Sequence, residues 1–552
     1  MDEMIPARKI TPGERRWVLG FAALFLLVTS LPYLLGFSAQ GQDTVYTGFV
    51  FGVEDGNSYI AKMLNGAYGA WKFTSAHSAY PQAGAWIFPL YLWLGKLASP
   101  PGLHEQLTAI FHLFRLGAAL LALLATYDFL AFFIADIRLR RFGLALAALG
   151  SGLGWILVML GQESWLGSLP LDFYSPEAFG FLGLYGIPHL ALARALLLWA
   201  LLVYLRAVQA SAGGDQSRPA GAALRLGILW LLTGLAQPLT MAVLGAVLIW
   251  HLAGLAAWQI ALGRRGLAVD WTRWRGLASL VIAAGILPGI FLLYNLWVSY
   301  SDPYVRAWTE QNLIHSPHPF HYILAYGLLL PYAVWGGRRL LRADAWCGWL
   351  LPGWIILFPL LAYIPLDLQR RLTEGVWVAW ITLAMLTIEG LADQPTRRRW
   401  ATLPLWLLFP SAVLLLISGV LAVSRPNAPL FRPRDEVRLF EFMQSQAQSG
   451  EVVLAAYESG NPMPAWAPVR VLAGHGPESI HLSELKPQVE AFYAAQTAEA
   501  QRLDLIRRFE VGYVFWGPAE RALGEWDPSQ AAYLQPVYES GEYRLFQVAG
   551  SP

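Results

Sequence analysis

Apolar runs of about 20 residues recur along this chain from residue 17 to residue 423, separated by short polar segments. Runs of that length are long enough to cross a bilayer as helices, and their repetition reads as a polytopic helical membrane protein. Composition agrees. Of 552 residues, 56% are hydrophobic and 14% charged, where a soluble protein averages about 25% charged. Many of the 25 Trp and 23 Tyr flank the runs, as interfacial anchors do. The net charge of +2 says little about partners, because the charges are segregated. Cys347 is the one cysteine, which excludes a disulfide within one chain. Arg8, Lys9, Arg15 and Arg16 precede the first run, 17–37. That run is longer than a signal-peptide core and lacks a small-residue cleavage site, so it reads as an uncleaved first span.

Spans are expected at 17–37, 107–135, 142–161, 187–208, 222–236, 238–262, 276–297, 319–337, 345–363, 374–392 and 400–423, about 11 in all. Gln237-Pro238 divides a run too long for one span, because proline removes a helix hydrogen bond. Segment 85–99, short and holding Pro89 and Lys96, reads as an interfacial helix. With that segment lying flat, one side collects Arg138, Arg140, Arg141, Arg206, Arg218, Arg225, Arg264, Arg265, Arg273, Arg275, Arg338, Arg339, Arg342, Arg397, Arg398 and Arg399. Roughly 20 Lys/Arg then face roughly 6 on the other side, and the positive-inside rule puts the N-terminus in the cytoplasm. Loops 38–106, 162–186, 298–318 and 364–373 and everything after residue 424 fall outside. No eukaryotic targeting signal is visible, so the expected location is a bacterial cytoplasmic membrane, multi-pass.

The expected fold is therefore mainly α: a transmembrane bundle over 1–423 and a small extracytoplasmic α/β domain over 424–552. In the latter, 434–446 and 486–509 have helical periodicity, and 452–454, 469–472 and 511–516 read as strands. A hairpin is expected over 537–548, turning at Ser540-Gly541. Gly474-His475-Gly476 follows a strand but lacks the lysine and glycine spacing of a phosphate loop. There is no fixed-period repeat and no basic-aromatic pattern, which argues against nucleic acid as a partner.

Candidate chemistry lies in the loops of the translocated side. Glu54 and Asp55 are adjacent acids before an amphipathic segment that Asn57 or Ser58 could cap. A helix N-terminus favours ionised carboxylates, which accept a proton or hold a cation. Tyr59 and Lys62 in the same stretch are candidate substrate contacts. The second loop carries Glu163, Asp172 and Glu177, followed by Pro188-His189 at the start of a span. Asp55, Asp172 and Glu177 form the oxygen set that a divalent Mg or Mn ion would use, although their spacing specifies no metal. The third loop is rich in aromatic and amide groups suited to a sugar, with Trp308, Gln311 and Asn312 foremost. Its His315, His318 and His321 are spaced by threes, but Pro317 and Pro319 break any shared helical face. In the fourth loop Arg370 and Arg371 stand near Asp367 and Glu374; paired guanidinium groups suit a phosphate-bearing headgroup. Arg115 and Arg194 lie inside spans near their outer ends, and Asp128 lies deeper.

This layout resembles the GT-C superfamily of polyprenyl-phosphate-dependent glycosyltransferases. The likeness is carried by Glu54-Asp55 after the first span and by the interfacial stretch from Tyr80-Pro81 through Phe88-Pro89-Leu90-Tyr91. It is carried also by the Arg115-bearing second span ending at Arg138-Leu139-Arg140-Arg141 and by a soluble domain after the last span. The resemblance implies transfer of a sugar from a polyprenyl-phosphate carrier to an acceptor at the outer face. Asp55 or Glu54 would be the general base, and the arginine pair would hold the phosphate leaving group. It leaves open which acid is the base and whether a metal helps. Two other classes stay open on sequence alone: a lipid or sugar transporter, and a non-catalytic scaffold with an outer binding domain.

Overall fold

The computed structural model describes residues 9–212 and 219–549; Arg8 and Arg218 of the basic segments lie outside them. The chain is a multi-pass membrane protein. Eight helices among the described residues are long and apolar enough to cross a bilayer: Pro12–Ala39, Leu103–Phe133, Pro188–Ala212, Pro238–Arg264, Trp271–Ser301, Ala345–Ala362, Gln369–Glu389 and Pro395–Val423. Each coincides with an expected span.

Of the other three expected spans, two break into shorter pieces and one forms a single helix. Segment 142–161 breaks into Ile137–Leu149 and Gly154–Met159. Ser151 and Leu153 turn their backbone N–H groups to Leu408 and Leu324 carbonyls, so the helical ladder cannot continue between the two pieces. Segment 319–337 divides into Pro319–Tyr326, a 3₁₀ turn Gly327–Leu329 and Leu330–Ala343; Pro331 has no N–H to carry an α-helical bond through the turn. Pro219–Ala236 has 18 residues, about 27 Å of helix, and ends at extended Gln237 before Pro238.

The chain divides into two compact units. The first is built from residues 1–30, 114–294 and 314–418. Val376–Glu389 is its most buried helix, with Trp377, Met385 and Ile388 inside the core. Two buried ion pairs cross this unit, Arg194 with Glu374 (2.5 Å) and Arg140 with Glu14 (2.5 Å). Asp128, deep in its span, is held by Arg15 at 2.8 Å and by the Trp199 indole N–H at 3.1 Å.

The second unit gathers residues 31–113, 295–313 and 419–552. Strand β1 (Thr44–Tyr46) pairs antiparallel with β2 (Phe431–Pro433). Strands β3 (Val452–Leu454), β4 (Arg470–Val471), β5 (Val511–Trp516), β6 (Leu534–Ser540) and β7 (Tyr543–Val548) form a mixed sheet in the order β4-β3-β5-β7-β6. Its β3–β4 and β3–β5 pairs are parallel, and β6–β7 is the expected hairpin, turning at Gly541 with φ 54°. The sheet core of Leu454, Val489, Phe492, Val514 and Phe546 also takes in Ala79, and Tyr80 packs against it. The Val471 N–H donates to the Ala76 carbonyl, so the loop over 73–82 is built into the domain edge.

Four helices of this unit frame the site: α1 (Val53–Ala67), α2 (Pro89–Gly95), α3 (Pro303–Gln311) and α4 (Arg434–Gln446). Helices α1 and α2 cross at two glycines. A Cβ on Gly66 would stand 2.1 Å from the Leu92 carbonyl oxygen, and one on Gly95 would stand 1.8 Å from that of Met63. Only glycine permits this approach. At seven residues, α2 is about 10 Å long and too short to span, in keeping with an interfacial reading of 85–99.

Candidate functional site

Helix α1 starts earlier than its sequence suggests. Gly52, in the left-handed region at φ 57°, turns the chain into it, and Glu54 and Asp55 occupy its first turn. Asn57 and Ser58 do not cap it; each has a distant partner instead. The Asn57 amide donates to Asn461 Oδ1 at 2.7 Å, and the Ser58 hydroxyl donates to Glu478 Oε1 at 2.6 Å. Nor does α1 merely rest an apolar face on a surface, for Asn57, Ser58, Ile60, Lys62, Met63 and Leu64 are all buried. Gly56 lets the helix pass over Phe49, whose ring would be 2.5 Å from an added Cβ.

The two acids are held differently. Glu54 Oε1 accepts from the Gly476 N–H at 2.7 Å and from the Tyr457 hydroxyl. Burial, then the Glu54 charge, push the Tyr457 hydroxyl far above its ordinary pKa, which keeps it a donor. Asp55 projects outward with 63% of its side chain exposed, and its Oδ1 faces His475 Nε2 at 3.2 Å. The first turn of a helix supplies both carboxylates with favourable dipole charge.

Behind Asp55 lies a buried polar cluster drawn from sequence-distant segments. Glu478 ion-pairs with Lys62, accepts from Ser75 Oγ at 2.9 Å and lies 3.7 Å from His77 Nδ1. The Tyr304 hydroxyl donates to its backbone carbonyl at 2.9 Å. Burial alone would raise the Glu478 pKa, but Lys62, then His475 and His77, outweigh it and hold the group well below the usual carboxylate range. Burial pushes the His77 ring below its ordinary value against the pull of Glu478. His475 goes the other way: burial opposes its charge, yet Glu478 and Asp55 together raise it. Its Nδ1 accepts from the Glu478 N–H at 3.3 Å, which leaves the Nε2 hydrogen for Asp55.

Several candidate contacts prove to be engaged in the structure itself. Lys62 is 3% exposed and committed to Glu478 and Ser58, so it does not stand ready for substrate. Tyr59 stacks on Tyr91 at 4.8 Å. Gln311 donates to the carbonyls of Gly476, Pro477 and Ser479 and accepts from the His481 N–H, clamping the loop that carries His475. Asn312 is buried at the C-terminal end of α3. Trp308 packs edge-on to Phe88, and its indole N–H is buried with no hydrogen-bond partner among the described residues.

In the first unit, Arg370 lies over the Tyr174 ring at 4.5 Å, and Arg371 Nε is 3.6 Å from Glu177. Glu374 belongs to Arg194, not to the arginine pair. The Nε atoms of Arg370 and Arg371 are both buried without a hydrogen-bond partner among the described residues. Arg115 is buried against Ser30 Oγ (2.9 Å) and the Tyr185 carbonyl (3.4 Å); His189 is buried one residue into its span. His315 faces Asp367, His318 caps the helix that follows it, and His321 faces the Trp165 carbonyl, so the three do not converge.

Glu478, His475, His77, Tyr457 and Asn461 were not candidates from sequence. The one local signal was Gly474-His475-Gly476. Gly474 is required there because an added Cβ would fall 2.5 Å from the Gly460 carbonyl carbon.

A multi-pass helical bundle with a short helix pair after the first span and a C-terminal mixed sheet is a fold this chain shares with solved membrane proteins. No family model and no curated protein matches the sequence; solved structures do. The apo oligosaccharyltransferase of Archaeoglobus fulgidus superposes with a TM-score of 0.54 at 14% identity, over 97% of this chain and 74% of that one. The same enzyme in complex with Zn and sulfate gives 0.50 at 15% identity, over 95% and 73%. ArnT from Cupriavidus metallidurans, in its apo state, gives 0.49 at 13% identity, over 96% and 98%. At these identities the likeness is one of fold.

Among the described residues no three His, Cys, Asp or Glu side chains converge on one point. Asp172 is buried and accepts from Ser411 Oγ at 3.0 Å, and Glu177 faces Arg371. No step below is routed through a metal ion.

Proposed function

We propose that this chain is a glycosyltransferase that moves a sugar from a polyprenyl-phosphate carrier to an acceptor at the outer face of a bacterial cytoplasmic membrane. The observation that carries the reading is the unequal treatment of the adjacent acids. Glu54 is consumed by Tyr457 and Gly476, whereas Asp55 keeps an exposed carboxylate steadied by His475. Asp55 is then the general base. The acceptor hydroxyl gives its proton to an Asp55 oxygen while its own oxygen bonds to the anomeric carbon. The bond from that carbon to the carrier phosphate breaks, and its electron pair leaves on the phosphate oxygen. Negative charge grows on the leaving phosphate, so fixed positive charge there lowers the barrier. Arg370 and Arg371 are assigned that role because paired guanidinium groups suit a phosphate.

The test is transfer from a radiolabelled panel of undecaprenyl-phosphate hexoses and pentoses into native envelope extract. Loss of a general base costs about 100- to 10,000-fold, the fall expected for Asp55→Asn, with a smaller fall for Glu54→Gln. Arg370→Ala is expected to weaken binding of undecaprenyl phosphate. Full transfer by Asp55→Asn would remove the loop from the mechanism.

A further inference from the structure

We infer that His475 is the positioning residue of Asp55, fixing the orientation and proton affinity of its carboxylate; this rests on Asp55 acting as the base. Oδ1 of Asp55 is held by His475 Nε2 at 3.2 Å, and 63% of the Asp55 side chain is exposed. The imidazole is itself fixed, 3% exposed, with Nδ1 taking the Glu478 N–H at 3.3 Å and its ring 5.4 Å from that of His77. Ser479 Oγ accepts from the backbone N–H groups of Gly474 and His475 and donates to the His77 carbonyl. A donor so constrained cannot follow Asp55 if the carboxylate swings away.

The arrangement carries a definite pH dependence. The titratable and charged groups around His475 are Asp55, Glu54 and Lys62 from α1, His77 from the 73–82 loop, Glu478 from its own loop, Tyr304 from α3 and Tyr457 beside Glu54. Burial disfavours the imidazolium, but Glu478 and Asp55 prevail, so it forms at a pH above the ordinary 6.5. A second proton on the ring ends the Nδ1 bond to Glu478 and places a full positive charge beside Asp55. The carboxylate then becomes a poorer proton acceptor. Activity should therefore fall on the acid side as His475 becomes protonated.

The experiment is the pH profile of kcat/KM for the detergent-purified full chain and its His475→Gln variant, with the best donor from the undecaprenyl-phosphate panel. The wild-type acid limb is expected to have its midpoint above 6.5. In His475→Gln the plateau at pH 8.5 should drop about 10- to 100-fold, the cost of a misplaced catalytic group, and the acid limb should move to lower pH. A merely structural residue would lower the plateau without moving the limb. His475→Asn serves as the second variant if the glutamine form does not fold, judged by size-exclusion and melting behaviour. An unmoved acid limb, or an unchanged plateau, overturns the inference. Activity surviving in Asp55→Asn would instead overturn the assignment of the base, a separable result.

Discussion

Glu520 ties the end of β5 in the mixed sheet to the turn that carries Tyr457, and its chemistry makes that tie sensitive to pH. It is fully buried in helix Pro518–Leu523. Its two oxygens accept from the N–H groups of Ala456 and Gly517, each at 2.9 Å. Burial outweighs these bonds and pushes its carboxyl up to about 7 from 4.5. The folded state therefore binds the proton more tightly than the unfolded chain. Stability contributed by the neutral acid is present below about pH 4.5 and declines as pH rises toward and through about 7. Across that window the loss is about 3 kcal/mol, at 1.36 kcal/mol per pH unit, or a factor on the order of 100 in a local opening equilibrium. Hydrogen exchange of peptides covering 452–460 and 511–520, corrected for the intrinsic rate at each pH, reads this directly. Protection should fall by up to that factor between pH 5 and pH 8.5. Glu520→Gln should flatten the dependence, even if it lowers protection throughout by setting an amide N–H₂ against a backbone N–H. Protection in the wild type that stays level over this range, or the same slope in both proteins, refutes the reasoning.

Two further outcomes follow from the geometry. Gly95→Ala must open the α1–α2 crossing, where the new methyl meets the Met63 carbonyl; a loss of about 1–3 kcal/mol is expected, measured by thermal unfolding in detergent. Glu478→Gln leaves the Lys62 ammonium buried without its counter-charge and should cost about 3–5 kcal/mol. The double variant Lys62→Met/Glu478→Gln should recover much of that loss, whereas a substrate-binding Lys62 would show no such rescue.

The membrane-length helices were legible because run length is a local property. Two expected spans break for reasons outside their own hydropathy. In 142–161 the Ser151 and Leu153 N–H groups find carbonyls far along the chain, and in 319–337 Pro331 opens a new helix just after a 3₁₀ turn. The site was half visible. Two adjacent acids after a first span stand out by sequence alone. Their division of labour does not, because Tyr457, Gly476 and His475 lie about 400 positions away and only tertiary structure brings them in. The Lys62 partner is hidden for the same reason: in sequence Lys62 reads as a substrate contact, and only the fold closes Glu478 over it.

Strand β1 reaches its partner β2 only late in synthesis, since the Thr47 hydroxyl bonds to the Leu430 carbonyl across 383 positions. At about 5–20 residues per second, a ribosome needs on the order of half a minute to deliver that second strand. Through this interval the segment bearing Asp55 has its lysine without a counter-ion and its strand without a neighbour. The nascent chain thus has to shelter an unpaired strand and a lysine awaiting its counter-ion until β2 and Glu478 are made, which sets a demand on the insertion machinery rather than on the folded protein.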